Sequence, residues 1–167
     1  MKTDYQAGKS YKVKVVNGQG KALANQTVKI NINGVIYNRV TDENGTAYLA
    51  IRLNPGTYIC TSSWNDSFVS TKVVVNKLTA SISVLTPTVK KGDYYKVKIT
   101  DKKSSKPIVN QLVLFIYNGT AYGAYSDNEG IAKIKIGLPA GSYQLITAIQ
   151  NSNWYQNIQV HNTLKVT

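Results

Sequence analysis

Two side chains carry chemistry that few others can supply: His161, the one histidine, and Cys60, the one cysteine. Imidazole exchanges protons near neutral pH, and a thiolate attacks carbonyls or ligates metals. With one copy of each, the inventory argues against most metalloenzymes and triad hydrolases, and Cys60 has no partner for an intrachain disulfide. Cys60 runs in phase with Tyr58 and Ser62, which reads as a small hydrophobe in a core. The eight acids cluster only at Asp42-Glu43-Asn44-Gly45 and Asp127-Asn128-Glu129-Gly130. Calcium takes six to eight oxygen ligands, and each loop offers two carboxylates. The same residues make plain turns, Asp and Asn by bonding their own backbone and Gly by supplying positive φ. The turn is the reading taken, so no catalytic residue, metal ligand or cofactor site is expected. A self-formed Lys–Asn or Thr–Gln cross-link is not expected either, because no acid stands near Ser62 or Thr147 to promote one.

Binding chemistry is better represented. Trp64 and Trp154 fall at equivalent hairpins, one before its turn and one after. Trp64 continues the inward series Tyr58, Cys60, Ser62 and is expected to cap a core. Trp154 and the adjoining Tyr155 follow Gln150-Asn151-Ser152-Asn153, a polar run from which an indole can stack on a sugar ring or anchor a partner. These two are the candidate ligand contacts. Asn25, Asn44, Asn65 and Asn118 each begin an Asn-x-Ser/Thr sequon in a turn, compatible with N-glycosylation but little above chance in number. The formal charge is +12, from 20 basic and 8 acidic residues. Such a field attracts polyanions. Only Arg39 and Arg52 supply the guanidinium fork used to read phosphates and bases, so the lysines read as a solvated face and nucleic acid is not an expected partner. No apolar run approaches a membrane span, so no membrane insertion is expected within these residues. Met1-Lys2-Thr3-Asp4 does not read as a leader. The chain is then either cytoplasmic or a piece of a longer secreted one.

The elements that position these residues are strands. Val, Ile, Thr and Tyr account for 59 of 167 residues, and there are two glutamates. That balance favours sheets over helical bundles. The sequence also repeats. Asn25-Gln26 recurs as Asn110-Gln111, Asn33-Gly34 as Asn118-Gly119, Asp42 and Gly45 as Asp127 and Gly130, and Gly56 and Tyr58 as Gly141 and Tyr143, all at an offset of 85. Continued at that offset, Val73 and Val75 fall on Ile158 and Val160. Tyr11-Lys12-Val13-Lys14 matches Tyr95-Lys96-Val97-Lys98 at 84. Period-two alternation broken by Asn-Gly, Asp-x-x-Gly and Pro-Gly turns predicts one buried and one wet face per strand. Such strands every 8–12 residues predict an all-β chain of two tandem β-sandwiches. The expected domains are 1–77 and 78–167. Ala80–Leu85 has no counterpart in the first half, so the first domain is expected to lack its first strand. His161–Thr167 is expected to be the start of a further linker. Asn76-Lys77-Leu78-Thr79, without a Gly or Pro run, predicts a stiff connection.

Several stretches together resemble the Ig-like repeats of large adhesin-like surface proteins of methanogenic archaea: Tyr11-Lys12-Val13-Lys14-Val15, Gly20–Asn25, Ile32-Asn33-Gly34-Val35-Ile36-Tyr37, Thr41-Asp42-Glu43-Asn44-Gly45 and Leu53-Asn54-Pro55-Gly56-Thr57-Tyr58. They are also broadly similar to bacterial Ig-like and Cna B-type modules. The second half departs where Arg39 becomes Ala124, Arg52 becomes Gly137 and Asn54-Pro55 becomes Pro139-Ala140. The resemblance implies secretion, a cell-surface location, neighbouring repeats in a parent chain, and a non-catalytic role as stalk or in attachment to glycans or proteins of another cell. The alternative is a binding module for anionic or glycan polymers, using the lysines and Trp154.

Overall fold

A computed structural model describes residues 1–167. It separates into two compact units, Met1–Asn76 and Lys77–Thr167, so Lys77 begins the second unit. No helix is long and apolar enough to cross a membrane.

The first unit contains β1 (Lys2–Asp4), β2 (Ser10–Lys14), β3 (Thr27–Ile32), β4 (Val35–Val40), β5 (Thr46–Ala50), β6 (Gly56–Trp64) and β7 (Ser67–Asn76). They form a five-stranded sheet in the order β1-β7-β6-β3-β4 and a two-stranded sheet β2-β5. The inner faces meet in a core of Tyr11, Val15, Val28, Ile30, Ile32, Ala47, Leu49, Ile51, Cys60, Val73 and Val75. In β3 the alternation is complete: Val28, Ile30 and Ile32 are buried while Thr27, Lys29 and Asn31 are exposed. A residue period of two places these side chains on opposite faces.

The second unit contains β8 (Ala80–Val84), β9 (Thr88–Val89), β10 (Tyr94–Asp101), β11 (Leu112–Tyr117), β12 (Thr120–Tyr125), β13 (Ile131–Lys135), β14 (Gly141–Ile149) and β15 (Ile158–Val166). Its sheets run β12-β11-β14-β15-β9 and β13-β10-β8. The chain changes sheets at Thr86-Pro87, since β8 pairs antiparallel with β10 while β9 pairs parallel with β15. Pro87 cannot donate to a ladder, which suits a crossing point. Tyr95 and Phe115 meet edge to face in the core, with ring centroids 5.9 Å apart.

Each repeated motif performs one local task. Thr41 Oγ1 accepts from Gln26 N (2.9 Å) and donates to Leu23 O (2.7 Å). Ser126 Oγ accepts from Gln111 N (3.1 Å) and donates to Ile108 O (2.7 Å). Both hydroxyls are buried and sew a loop to a strand end. Tyr58 OH donates to Asn54 O at 2.9 Å and Tyr143 OH to Pro139 O at 2.8 Å. Each pins the start of its strand to the corner four residues upstream, the tyrosine corner of immunoglobulin-like sandwiches. Gly45 and Gly130 sit at φ +71° and +76°, where a Cβ would come 2.7 Å from Val15 O and 2.5 Å from Ile99 O. Those turns dock backbone against backbone.

Three expectations need correction or sharpening. His161–Thr167 is no linker: it makes up most of β15, with His161 opposite Ile146 and Leu164 opposite Tyr143. The cause is loop length. Trp64 pairs with Ser67 across the two-residue turn Asn65-Asp66, whereas Ile149 pairs with Ile158 across eight residues. The offset therefore rises from 85 to 91 after Ile149. The counterparts of Val73 and Val75 are Leu164 and Val166, which lie opposite Tyr143 and Gly141 as Val73 and Val75 lie opposite Tyr58 and Gly56. Finally, β1 answers to β9, each pairing parallel with the last strand of its unit. No strand of the first unit answers to β8.

Candidate binding loop of the second unit

The eight residues between β14 and β15 are the largest departure of one unit from the other. Asn151 opens the loop at φ +53°, a left-handed conformation that Asn tolerates, and its N–H donates to Asn157 Oδ1 at 3.0 Å. Ser152 is buried. Its hydroxyl donates to Gln111 Oε1 (2.9 Å) and accepts from the N–H groups of Trp154 (3.3 Å) and Tyr155 (3.2 Å). Lys77 Nζ donates to Ser152 O at 2.6 Å. Leu78 N donates to Trp154 O and Gln156 N to Leu78 O, both at 2.8 Å, so Leu78 and Tyr155 form a parallel bridge. The loop is thereby tied on two sides, to Gln111 just before β11 and to the segment before β8.

Of the two aromatic candidates, Tyr155 is half-buried and packs on the core. Trp154 is 36% exposed. The loop residues that flank it in the chain, Gln150, Asn151, Asn153, Gln156 and Asn157, are exposed. The first unit has nothing equivalent. Trp64 is half-buried against its core, and its Nε1 donates to Gln26 Oε1 at 3.2 Å. The counterpart of Gln26 is Gln111, which binds Ser152 instead, and the counterpart of Trp64 is the fully buried Ile149. The loop thus replaces the indole cap. Sequence reading missed Ser152, Gln111, Lys77 and Leu78 as its supports. The recurring Asn-Gln pair was the visible signal, but its purpose depends on which partner the hairpin delivers.

The other chemically capable residues are occupied locally. Asp42 Oδ1 accepts from Asn44 N and Thr46 N, both at 2.9 Å, and Asp127 Oδ1 accepts from Glu129 N (3.0 Å) and Ile131 N (2.9 Å). The Thr46 N–H is the main influence holding the Asp42 carboxyl below the usual range, with the Asn44 N–H, the Tyr48 hydroxyl and Lys14 helping. Burial pushes the Asp101 carboxyl up, but hydrogen bonds from Ser104 and Lys103 N–H outweigh it and hold the group below its ordinary value. Cys60 is fully buried, which pushes its thiol up, with Tyr11 offsetting part of the effect. A thiol protonated at neutral pH and closed to solvent is inert. His161 is exposed, 3.4 Å from Gln159 Nε2. Asn25, Asn44, Asn65 and Asn118 are all exposed, and Asn25, Asn65 and Asn118 have positive φ.

No protein-family model and no curated protein matches the sequence. Solved structures do. A crystal structure of invasin, described as a bacterial integrin-binding protein, aligns with 97% of this chain at 17% identity and a TM-score of 0.54. The chain spans 36% of that structure's length. The Yersinia pseudotuberculosis adhesin InvE aligns with 98% of the chain at 13% identity and a TM-score of 0.45, over 56% of its own length. Fibronectin(III)-like modules of Clostridium thermocellum CbhA align with 99% at 13% identity and a TM-score of 0.38, over 88% of theirs. At these scores InvE and CbhA carry no further weight. The invasin likeness and the paired sheets agree on the fold: this is an all-β chain of immunoglobulin-like sandwich architecture.

Proposed function

We propose that the chain is a non-catalytic pair of Ig-like modules from a large adhesin-like cell-surface protein, acting as spacer or in attachment and flanked by further repeats. One observation carries the reading. The polar side chains that recur in both units are spent on their own architecture: Thr41 and Ser126 on loops, Asp42 and Asp127 on turns, Tyr58 and Tyr143 on corners. A catalytic family would be expected to repeat or preserve a reactive cluster; here the repeat preserves scaffolding. The invasin likeness supports the sandwich frame of this reading, and the residue resemblance to archaeal surface repeats supports its setting outside the cell.

The test is single-molecule extension of the intact chain between handles. Two separate unfolding events, one per unit, are expected of a load-bearing spacer. A single event at low force, or any turnover of glycan or peptide substrates by the chain, overturns the proposal.

A second reading is favoured by the 150–157 loop alone: a binding module for anionic or glycan polymers. Retention on cell-wall polysaccharide that falls on Trp154→Ala and with added salt supports it. No retention at low salt removes it.

A further inference from the structure

We propose that a groove on the first unit, between β4 and the segment following β5, binds an acidic peptide segment of another protein. Arg39 and Arg52 would grip a carboxylate, and the apolar side chain next to it would lie on an aliphatic floor. The chain has two arginines, and both line this one groove of about 340 Å³. Ligand clefts begin at about 300 Å³, so the groove suits a pair of side chains rather than a large ligand. Tyr37 and Arg39 lie opposite Ile30 and Val28, whose side chains are buried. Residues directly opposite share a face, so both point inward from β4, the end strand of its sheet. Arg52 enters from the end of β5, which belongs to the facing sheet. Arg39 Nη1 donates to Asn38 O at 2.7 Å, and the guanidinium carbon stands 5.5 Å from the centroid of the Tyr37 ring. Those contacts hold the fork in place, and a guanidinium has five N–H donors, so several are left to bind with. No acidic side chain lines the groove. Two positive groups therefore converge there without a counter-charge.

The sandwich itself does not require these arginines. The second unit has Ala124 and Gly137 in their places, and Tyr117 where the first has Ile32. The Tyr117 ring packs edge to face on Tyr143, with centroids 5.4 Å apart. An inward charge on an end strand also deters unwanted strand pairing. Yet β12 occupies the same end position with Ala124, so the frame stands without that device. Edge protection also gives no task to Arg52, which is exposed and lies beyond the last residue of β5.

Charge and floor together identify the occupant. The planar fork of arginine matches a carboxylate through two parallel hydrogen bonds. Beneath the arginines lie Ile32, Leu49 and Ile51, all buried, and the half-buried Leu53. These aliphatic side chains offer no partner to sugar hydroxyls, and covering a hydroxyl without a partner is costly. A peptide with Leu, Ile or Val beside Glu or Asp leaves nothing unpaired on that floor. The proposal concerns the first unit alone and needs neither the spacer reading nor the 150–157 loop.

The experiment titrates a capped synthetic peptide, Leu-Glu repeated three times, into the intact nitrogen-15-labelled chain. Salt at about 0.15 M screens the scattered lysines. Shifts concentrated at residues 37–39 and 49–53 and at the two arginine Nε–H groups are expected. The matching Leu-Gln peptide should bind about tenfold more weakly, having lost the charge-assisted bonds, and a Ser-Glu peptide about threefold more weakly, having lost the floor. Arg52→Gln, at an exposed position, should weaken binding about tenfold, and Arg52→Lys about threefold, because the charge stays and the fork goes. Arg39→Gln should act like Arg52→Gln, and the Arg52 variants decide the matter should that one not fold. The proposal is overturned by unmoved amides at millimolar peptide, by shifts spread evenly over the lysine-bearing strands, or by equal binding of the Leu-Gln or Ser-Glu peptide. Tighter binding of an oligogalacturonate at the same amides would assign the groove to a carboxylated glycan and overturn it too.

Discussion

Gly130→Ala separates two costs that are usually merged. At φ +76° an alanine pays the left-handed penalty, about 1 kcal/mol. Its Cβ would also stand 2.5 Å from Ile99 O and 3.1 Å from Pro107 Cβ. Backbone cannot yield as a flexible side chain can, so the turn must withdraw. Withdrawal breaks the 2.8 Å bond from Ile99 N to Gly130 O beside a fully buried residue. Leaving such a group unpaired costs about 1–3 kcal/mol, for a total of about 2–4 kcal/mol by those two principles. Gly119→Ala is the matched control: φ is +77° and nothing lies within 4 Å of the added Cβ. It should lose only the conformational part, about 1 kcal/mol. Urea unfolding followed by Trp154 fluorescence in a Trp64→Phe background reads the second unit alone. At a slope near 1 kcal/mol per molar, the Gly130→Ala midpoint should fall about 1–3 M further than the control. Equal midpoints for the two variants would refute the backbone-contact argument.

Two further outcomes follow from particular hydrogen bonds. Tyr58→Phe and Tyr143→Phe should each cost about 1 kcal/mol, and equally, because the bonds to Asn54 O and Pro139 O differ by only 0.1 Å (2.9 against 2.8 Å); paired denaturation curves check this, and a null effect in both would dismiss the corner as a stabilising element. Asp101 has a depressed carboxyl pKa in the folded chain, so its stabilisation is present above the ordinary carboxylate value near 3.9 and is lost as pH falls through the lower folded value. Melting temperatures taken from pH 6 downward should therefore drop less steeply for Asp101→Asn than for the parent chain, and parallel curves would count against the assignment.

The fold was legible because its determinants are local. Alternation in β3 and β10, the Asn-Gly hairpins and the Asp-x-x-Gly turns each act over a few residues, and their recurrence was the signal for two units. The inward placement of Cys60 followed from the same parity. The register of the last strand did not. The eight-residue loop adds six residues relative to the Asn65-Asp66 turn, and six is even. An even shift keeps every side chain on its own face, so alternation fits an offset of 85 as well as 91. Only hydrogen bonding across the hairpin distinguishes them, and it makes His161–Val166 part of β15. The candidate site was half legible for a related reason. Trp154, Tyr155 and the polar run before them marked a loop, whereas Ser152, Gln111, Lys77 and Leu78 support it from positions 40 to 80 residues distant or with no motif of their own. Composition and period thus determined an all-β chain of sandwich architecture, poor in histidine, cysteine and acids. Tertiary structure alone decided how long its final hairpin is and what holds the aromatic loop, because each depends on pairing between segments that no local pattern encodes.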